Sequence, residues 1–204
     1  MIAGNRAILA LDARRPYSCG MGTTLTVTAL HGDSLVLAHV GDTRVYLFRD
    51  ERLQLTRDHT LDEDVRRALA LSPDEADSLP EGTRFLREMA EQLAELPRNV
   101  ITRALGTADA PVVDLAWVAL CRGDRLVLCT DGLHALVDPA AIAAALRMHP
   151  EPAEACAALV DAASRAGGHD NITVLLADVD GERLQAPLPG QIVGPRCAGF
   201  FDGH

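Results

Sequence analysis

Ser34-Leu35-Val36-Leu37-Ala38-His39-Val40-Gly41-Asp42-Thr43-Arg44-Val45-Tyr46-Leu47-Phe48 is the stretch on which the fold turns. Two apolar runs of strand length, Ser34 to Val40 and Arg44 to Phe48, flank a Gly-Asp pair. A parallel crossover needs about a dozen residues or more, so strands this close read as antiparallel. Glycine tolerates positive φ at no steric cost, which makes Gly41-Asp42 a hairpin signal.

The same reading extends in both directions. Upstream, threonines alternate with apolar residues over Thr24 to Ala29, the two-residue period of a strand with one face buried, and His31-Gly32-Asp33 supplies a turn. Downstream, Arg52 to Thr56 forms a fourth strand. From Leu61 to Val100 the pattern becomes helical and acidic, punctuated by Pro73, Pro80 and Pro97, with an amphipathic helix over Arg84 to Leu96. Strands return at Val112 to Leu120 and Asp124 to Thr130, joined by Arg122-Gly123. Asp138 caps a helix that carries Pro139 in its first turn and ends near His149-Pro150. A further helix, Pro152 to Ala166, aligns Ala155, Leu159, Ala162 and Ala163 on one face and stops at Gly167-Gly168. Ile172 to Val179 reads as the last strand, and residues 181–204, rich in Gly and Pro, read as a flexible tail. Strands first and helices inserted or appended later give an α+β arrangement with helices packed outside the sheets.

Composition narrows the function classes. The 204 residues are 48% apolar and 3% aromatic, enough for one domain with a core of Leu, Val and Ala. A net charge of −10 repels phosphate backbones and anionic lipid, so neither nucleic acid nor a membrane surface is expected as partner. The cysteines, Cys19, Cys121, Cys129, Cys156 and Cys197, are odd in number and contain no C-x-x-C pair, which suits a reducing cytoplasm. The apolar run Ala7 to Leu11 is too short to span a bilayer, and its arginines follow it, so no leader is read. Trp117 sits in an apolar strand and is assigned to the core. The histidines form no zinc motif, and no dinucleotide or P-loop signature occurs.

Three aspartates occupy strand ends: Asp42 in Gly41-Asp42-Thr43-Arg44, Asp131 in Cys129-Thr130-Asp131-Gly132, and Asp170 in Gly167-Gly168-His169-Asp170-Asn171. Hard divalent cations take oxygen ligands and keep several waters, so strand-end carboxylates at one mouth of a sheet suit Mg²⁺ or Mn²⁺. Each dipeptide alone is also an ordinary turn.

The ordered set is more specific. Gly20-Met21-Gly22-Thr23-Thr24, His39 to Arg44, Leu55-Thr56-Arg57-Asp58-His59-Thr60, Ile101 to Gly106, Gly123-Asp124 through Leu133, and His169-Asp170-Asn171-Ile172-Thr173 follow one another in a pattern that resembles the metal-dependent protein phosphatases, the PPM or type 2C family. The likeness runs from about Ala3 to Val179. It implies a four-layer αββα sandwich of antiparallel sheets with helices outside, formed by residues 1–180, with 61–100 as a flap-like insertion. It implies a protein serine/threonine phosphatase that uses Mn²⁺ or Mg²⁺ and metal-activated water, with no protein nucleophile. Asp131 and Asp170 match ligands of the first metal and Asp42 a ligand of a weaker third. Asn171, Arg44 and His59 match surrounding residues, Asn171 orienting Asp170. The implied partners are a phosphorylated protein substrate and an opposing serine/threonine kinase.

The resemblance starts part-way into the family's pattern. Members begin with strands and a helix carrying a phosphate-binding Arg and a bridging Asp-Gly, whereas Met1 to Cys19 is similar to the end of the second long helix. The domain is therefore read as N-terminally truncated, with apolar surface exposed by the loss. Phe200-Phe201-Asp202-Gly203-His204 is similar to the Asp-Gly-His segment that lies ahead of this point in the family. Two rival readings accompany the enzyme: a catalytically inactive phosphatase-like binding module and an incomplete gene product.

Overall fold

A run that is apolar at every position needs both of its faces covered, whereas a run that alternates needs only one. Both kinds occur in the computed structural model, which describes residues 1–15, 20–49, 52–70, 100–181, 184–185 and 196–201. The chain divides into two compact units. The first comprises residues 1–25, 40–42 and 57–111, and the second residues 26–39, 43–56 and 112–204.

The first unit contains helix α1 (Ile2–Asp12) and helix α2 (Leu61–Ala70). Asn5, fully buried on α1, donates to the carbonyls of Ala108 (2.8 Å) and Asp109 (3.2 Å) and accepts from the Gly106 N–H (2.6 Å). A buried amide satisfied on both sides fixes α1 to the loop over residues 104–109. Asp62, Glu63 and Asp64 occupy the first turn of α2, where negative charge complements the helix dipole. The helix read over Arg84 to Leu96 lies outside the described residues.

The second unit is a sandwich of two four-stranded sheets. One has the order β1-β2-β5-β8, from β1 (Leu25–His31), β2 (Ser34–Val40), β5 (Val113–Ala119) and β8 (Arg196–Phe201). The other has the order β4-β3-β6-β7, from β4 (Arg52–Gln54), β3 (Arg44–Phe48), β6 (Arg125–Cys129) and β7 (Val174–Asp178). The ladders joining β2 to β5, β5 to β8, and β3 to β4, β6 and β6 to β7 are antiparallel, as expected.

Between the sheets Leu35, Leu37, Ala116 and Val118 from the first meet Val45, Leu47 and Leu126 from the second. The opposite face of β3 and β6 carries Tyr46, Val127 and Cys129 against helices α4 (Pro139–Met148) and α5 (Pro152–Arg165), through Ile142, Leu146, Leu159 and Ala163. A four-residue helix, α3 (Asp131–His134), follows β6 and adds Leu133 to this cluster. Asp138 accepts from the Ala140 N–H at 2.7 Å, the cap expected of α4.

Four expectations need correction. Gly41-Asp42 is not a hairpin: β2 and β3 lie in different sheets, and the chain crosses between them at Gly41, whose φ is +114°. Trp117 is not core. It pairs with Val36 on the outer face of its sheet, where Trp117 is 39% and Val36 41% exposed. On β1 the threonine side faces inward, with Thr26 Oγ1 2.8 Å from Nδ1 of the buried His39, while Val27 is 45% exposed. Finally, Ile172 to Val179 does not contain the last strand and residues 181–204 are not wholly a tail. β8 pairs with β5 through Cys197 opposite Ala116 and Arg196 opposite Trp117.

Candidate functional site

Strand β6 is apolar on both faces and ends at Cys129, which lies opposite Val174 of β7. Beyond this pair the two chains stay joined. Thr130 N–H donates to Thr173 O (3.2 Å), Thr173 N–H donates to Thr130 Oγ1 (3.1 Å), and Thr130 Oγ1 donates to Asn171 O (3.0 Å). Asp131 therefore leaves β6 beside the turn that carries Asp170. Gly132 closes the approach: a Cβ there would fall 2.4 Å from Asn171 O and 2.9 Å from its carbonyl carbon. Only glycine allows the two backbones this contact.

Each carboxylate is aimed by its own turn. Asp131 Oδ1 accepts from Gly132 N–H (2.9 Å) and Asp170 Oδ1 from Asn171 N–H (2.6 Å). Asp131 is half-buried and Asp170 exposed, so both reach water. Among the described residues, neither forms an ion pair and no group of three or more His, Cys, Asp or Glu side chains is arranged around a metal position. Two adjacent, hydrated carboxylates fit a hard divalent ion that keeps most of its waters.

Of the other residues singled out, Asn171 acts through its backbone, with its N–H on Asp170 and its carbonyl on Thr130. Arg44 faces Cys129 across the β3–β6 ladder, at the end of the sheet from which Asp131 emerges, and its Nη1 donates to the Tyr46 hydroxyl at 3.2 Å.

Asp42 and His59 belong to the first unit. Asp42 is buried, and the glycine before it is gripped on both backbone groups by the fully buried His59: Gly41 N–H donates to Nδ1 (3.1 Å) and His59 N–H donates to Gly41 O (2.8 Å). A Cβ on Gly41 would lie 2.3 Å from Thr24 Cβ, so Thr24 fixes the corner from its other side. Asp124, part of the same quoted motif as Asp131, has a different setting. It lies at the opposite end of β6, about 20 Å away for six extended residues. There it accepts from Arg49 Nε (2.7 Å), Arg49 Nη2 (2.6 Å) and Cys121 N–H (2.7 Å).

Thr130 and Gly132 have no assigned role in the sequence reading, although both stand in the quoted Cys-Thr-Asp-Gly stretch. The signal for Gly132 is the dipeptide itself. Thr130 reads as the end of a strand, and only the third dimension gives its hydroxyl a use.

Two stacked antiparallel sheets, helices outside and an aspartate pair at the ends of neighbouring strands define a class: sandwich proteins that present oxygen ligands at one end of a sheet. Residues 9–66 match the family model described as Protein phosphatase 2C and residues 85–180 the one described as Stage II sporulation protein E. The crystal structure of the Mycobacterium tuberculosis serine/threonine phosphatase PstP/Ppp is similar at a TM-score of 0.70 and 38% identity, over 88% of this chain and 69% of that one. The chain belongs to the metal-dependent protein phosphatase family, type 2C. A structure of the PstP catalytic domain in complex with two manganese ions is similar at a TM-score of 0.68 and 37% identity, over 88% of this chain and 68% of that one. Among curated relatives, PstP of M. tuberculosis is 38% identical over 94% of this chain, and protein phosphatase PhpP of Streptococcus pneumoniae 35% identical over 87%. The chain spans 35% of the first and 66% of the second. No helix among the described residues is long and apolar enough to cross a membrane.

Proposed function

We propose that this chain is the larger part of a protein serine/threonine phosphatase domain that hydrolyses phosphoserine and phosphothreonine on proteins. The observation that carries this reading is the pairing of Asp131 with Asp170, locked by Thr130 and Gly132 at one end of the sheet. Asp131 and Asp170 would hold Mn²⁺ or Mg²⁺, with Asp42 as a further ligand. Such an ion supplies Lewis acidity toward water and toward the phosphoryl oxygens. The chain's own contribution is orientation. Gly132 N–H and Asn171 N–H each engage an Oδ1, which fixes the carboxylate planes before any ion arrives. Residues 61–100 would serve as a flap beside the site, in a domain spanning 1–180. The partners would be a phosphorylated protein and the serine/threonine kinase that opposes it, in the cytoplasm.

The test is hydrolysis of a small aryl phosphate by the 204-residue chain with Mn²⁺, with EDTA, and with Asp131→Asn. Turnover that needs Mn²⁺ and disappears in Asp131→Asn is the expected result. Turnover that survives EDTA or the substitution overturns the reading. A second reading, an inactive phosphoprotein-binding module, is favoured by one observation: two carboxylates rather than three or more are grouped among the described residues. It is distinguished by phosphopeptide affinity that EDTA leaves unchanged.

A further inference from the structure

Thr130 stands at the N-cap of α3 with extended backbone angles, φ −80° and ψ 167°. A threonine in that position ordinarily turns its hydroxyl onto the N–H groups of the first helical turn. Here it makes no such bond. The oxygen instead donates to Asn171 O and accepts from Thr173 N–H, so one hydroxyl bridges two points of the facing segment. The Gly132 N–H lies on Asp131 Oδ1, so the carboxylate that follows the threonine engages the helix start itself. The cap and its neighbour have exchanged tasks: the aspartate binds the helix, and the threonine binds the other aspartate's turn.

The consequence is geometric. Asp131 is attached to Thr130 by one peptide bond, and Asp170 to Asn171 by another. The Thr130 Oγ1 to Asn171 O bond therefore links the immediate chain neighbours of the two carboxylate-bearing residues. Gly132 limits how closely the segments approach, and Thr130 limits how far they part. We propose that Thr130 is a positioning residue, whose hydroxyl sets the spacing of Asp131 and Asp170 and thereby the affinity of the pair for a divalent cation. This rests on the reading of that pair as a metal site. A hydroxyl is required and a methyl is not, so serine should serve and valine, which keeps the shape without the donor, should not.

The experiment measures Mn²⁺ dissociation constants by calorimetry on the full chain for the native protein, Thr130→Ser, Thr130→Val and Asp138→Ala, with melting temperatures for each without metal. Asp138→Ala removes a working helix cap on α4, whose bond runs to the Ala140 N–H and not to either aspartate of the pair, and serves as the structural control. Loss of a group that orients the ligands of a metal costs about 10–100-fold in metal affinity. Thr130→Val should weaken Mn²⁺ binding at least about tenfold, with Thr130→Ser within about twofold of native and Asp138→Ala unchanged in affinity though lower in melting temperature. Native affinity in Thr130→Val overturns the positioning role and leaves the metal site standing. Equal loss in Thr130→Ser and Thr130→Val also overturns it, since the hydroxyl would then not be the cause. Absence of Mn²⁺ binding by the native chain overturns the metal site and this inference together. Should Thr130→Val fail to fold, Thr130→Ala against Thr130→Ser is read by the same criteria.

Discussion

Strands β6 and β7 each carry an aspartate at or beside both of their ends, and the two ends treat them in opposite ways. At one end Asp124 is clamped by two nitrogens of Arg49, with side-chain exposures of 0% and 8%, and Asp178 is clamped by Nε (2.6 Å) and Nη2 (2.9 Å) of Arg125. Arg125 also donates to the carbonyls of Leu146 and His149, each at 2.9 Å, and to that of Pro150, closing the C-terminus of α4. Every one of its five N–H donors is engaged. At the other end, among the described residues, Asp131 and Asp170 accept from the N–H groups of their own turns. Carboxylates with a dedicated arginine hold the fold together, whereas the two without one are those proposed above to bind a divalent cation.

This contrast can be broken by mutation. Asp124→Ala should have the largest effect on stability, about 3–5 kcal/mol, because it strands a buried guanidinium. Asp170→Asn, judged by the same urea unfolding curves, should stay within about 0.5 kcal/mol of native while abolishing Mn²⁺ binding. If Asp170→Asn destabilised the chain as much as Asp124→Ala, the division between the two ends would collapse. Gly132→Ala comes next. Its Cβ must displace the Asn171 carbonyl, so a loss of about 1–3 kcal/mol should accompany weakened Mn²⁺ binding, measured by unfolding and calorimetry together. Asp138→Ala should cost about 1 kcal/mol through the lost cap. Its Mn²⁺ affinity should not move, which sharpens the assignment of stability to one set of aspartates and ion binding to another.

Strands β3 and β6 were legible in the sequence because both faces of their sheet are covered, which makes Val45 to Phe48 and Leu126 to Cys129 continuously apolar. The Asp138 cap of α4 and the glycine stop after α5 were legible because both signals are local. What the sequence hides is non-local. Gly41-Asp42 specifies a turn but not which sheet the next strand joins. The alternation around Trp117 places it opposite to Ala116 and Val118 without saying which of the two faces is covered. β8 arises in a Gly- and Pro-rich stretch because the backbone of β5 offers an open ladder, not because its own pattern demands a strand. At the site, Asp131, Asp170 and Asn171 follow from motif order. The work of Thr130 does not, since the partners of its hydroxyl lie 41 and 43 residues further along the chain.

The outward placement of Trp117 has a spectroscopic consequence. It is the single tryptophan of the chain, so intrinsic fluorescence reports on the outer face of one sheet and not on the core or the aspartate pair. Its emission in the folded protein should already be that of a partly hydrated indole, accessible to acrylamide. Unfolding monitored at this wavelength will register only a small change, and a shift of the emission to the blue will signal that something has come to rest on Val36 and its neighbours.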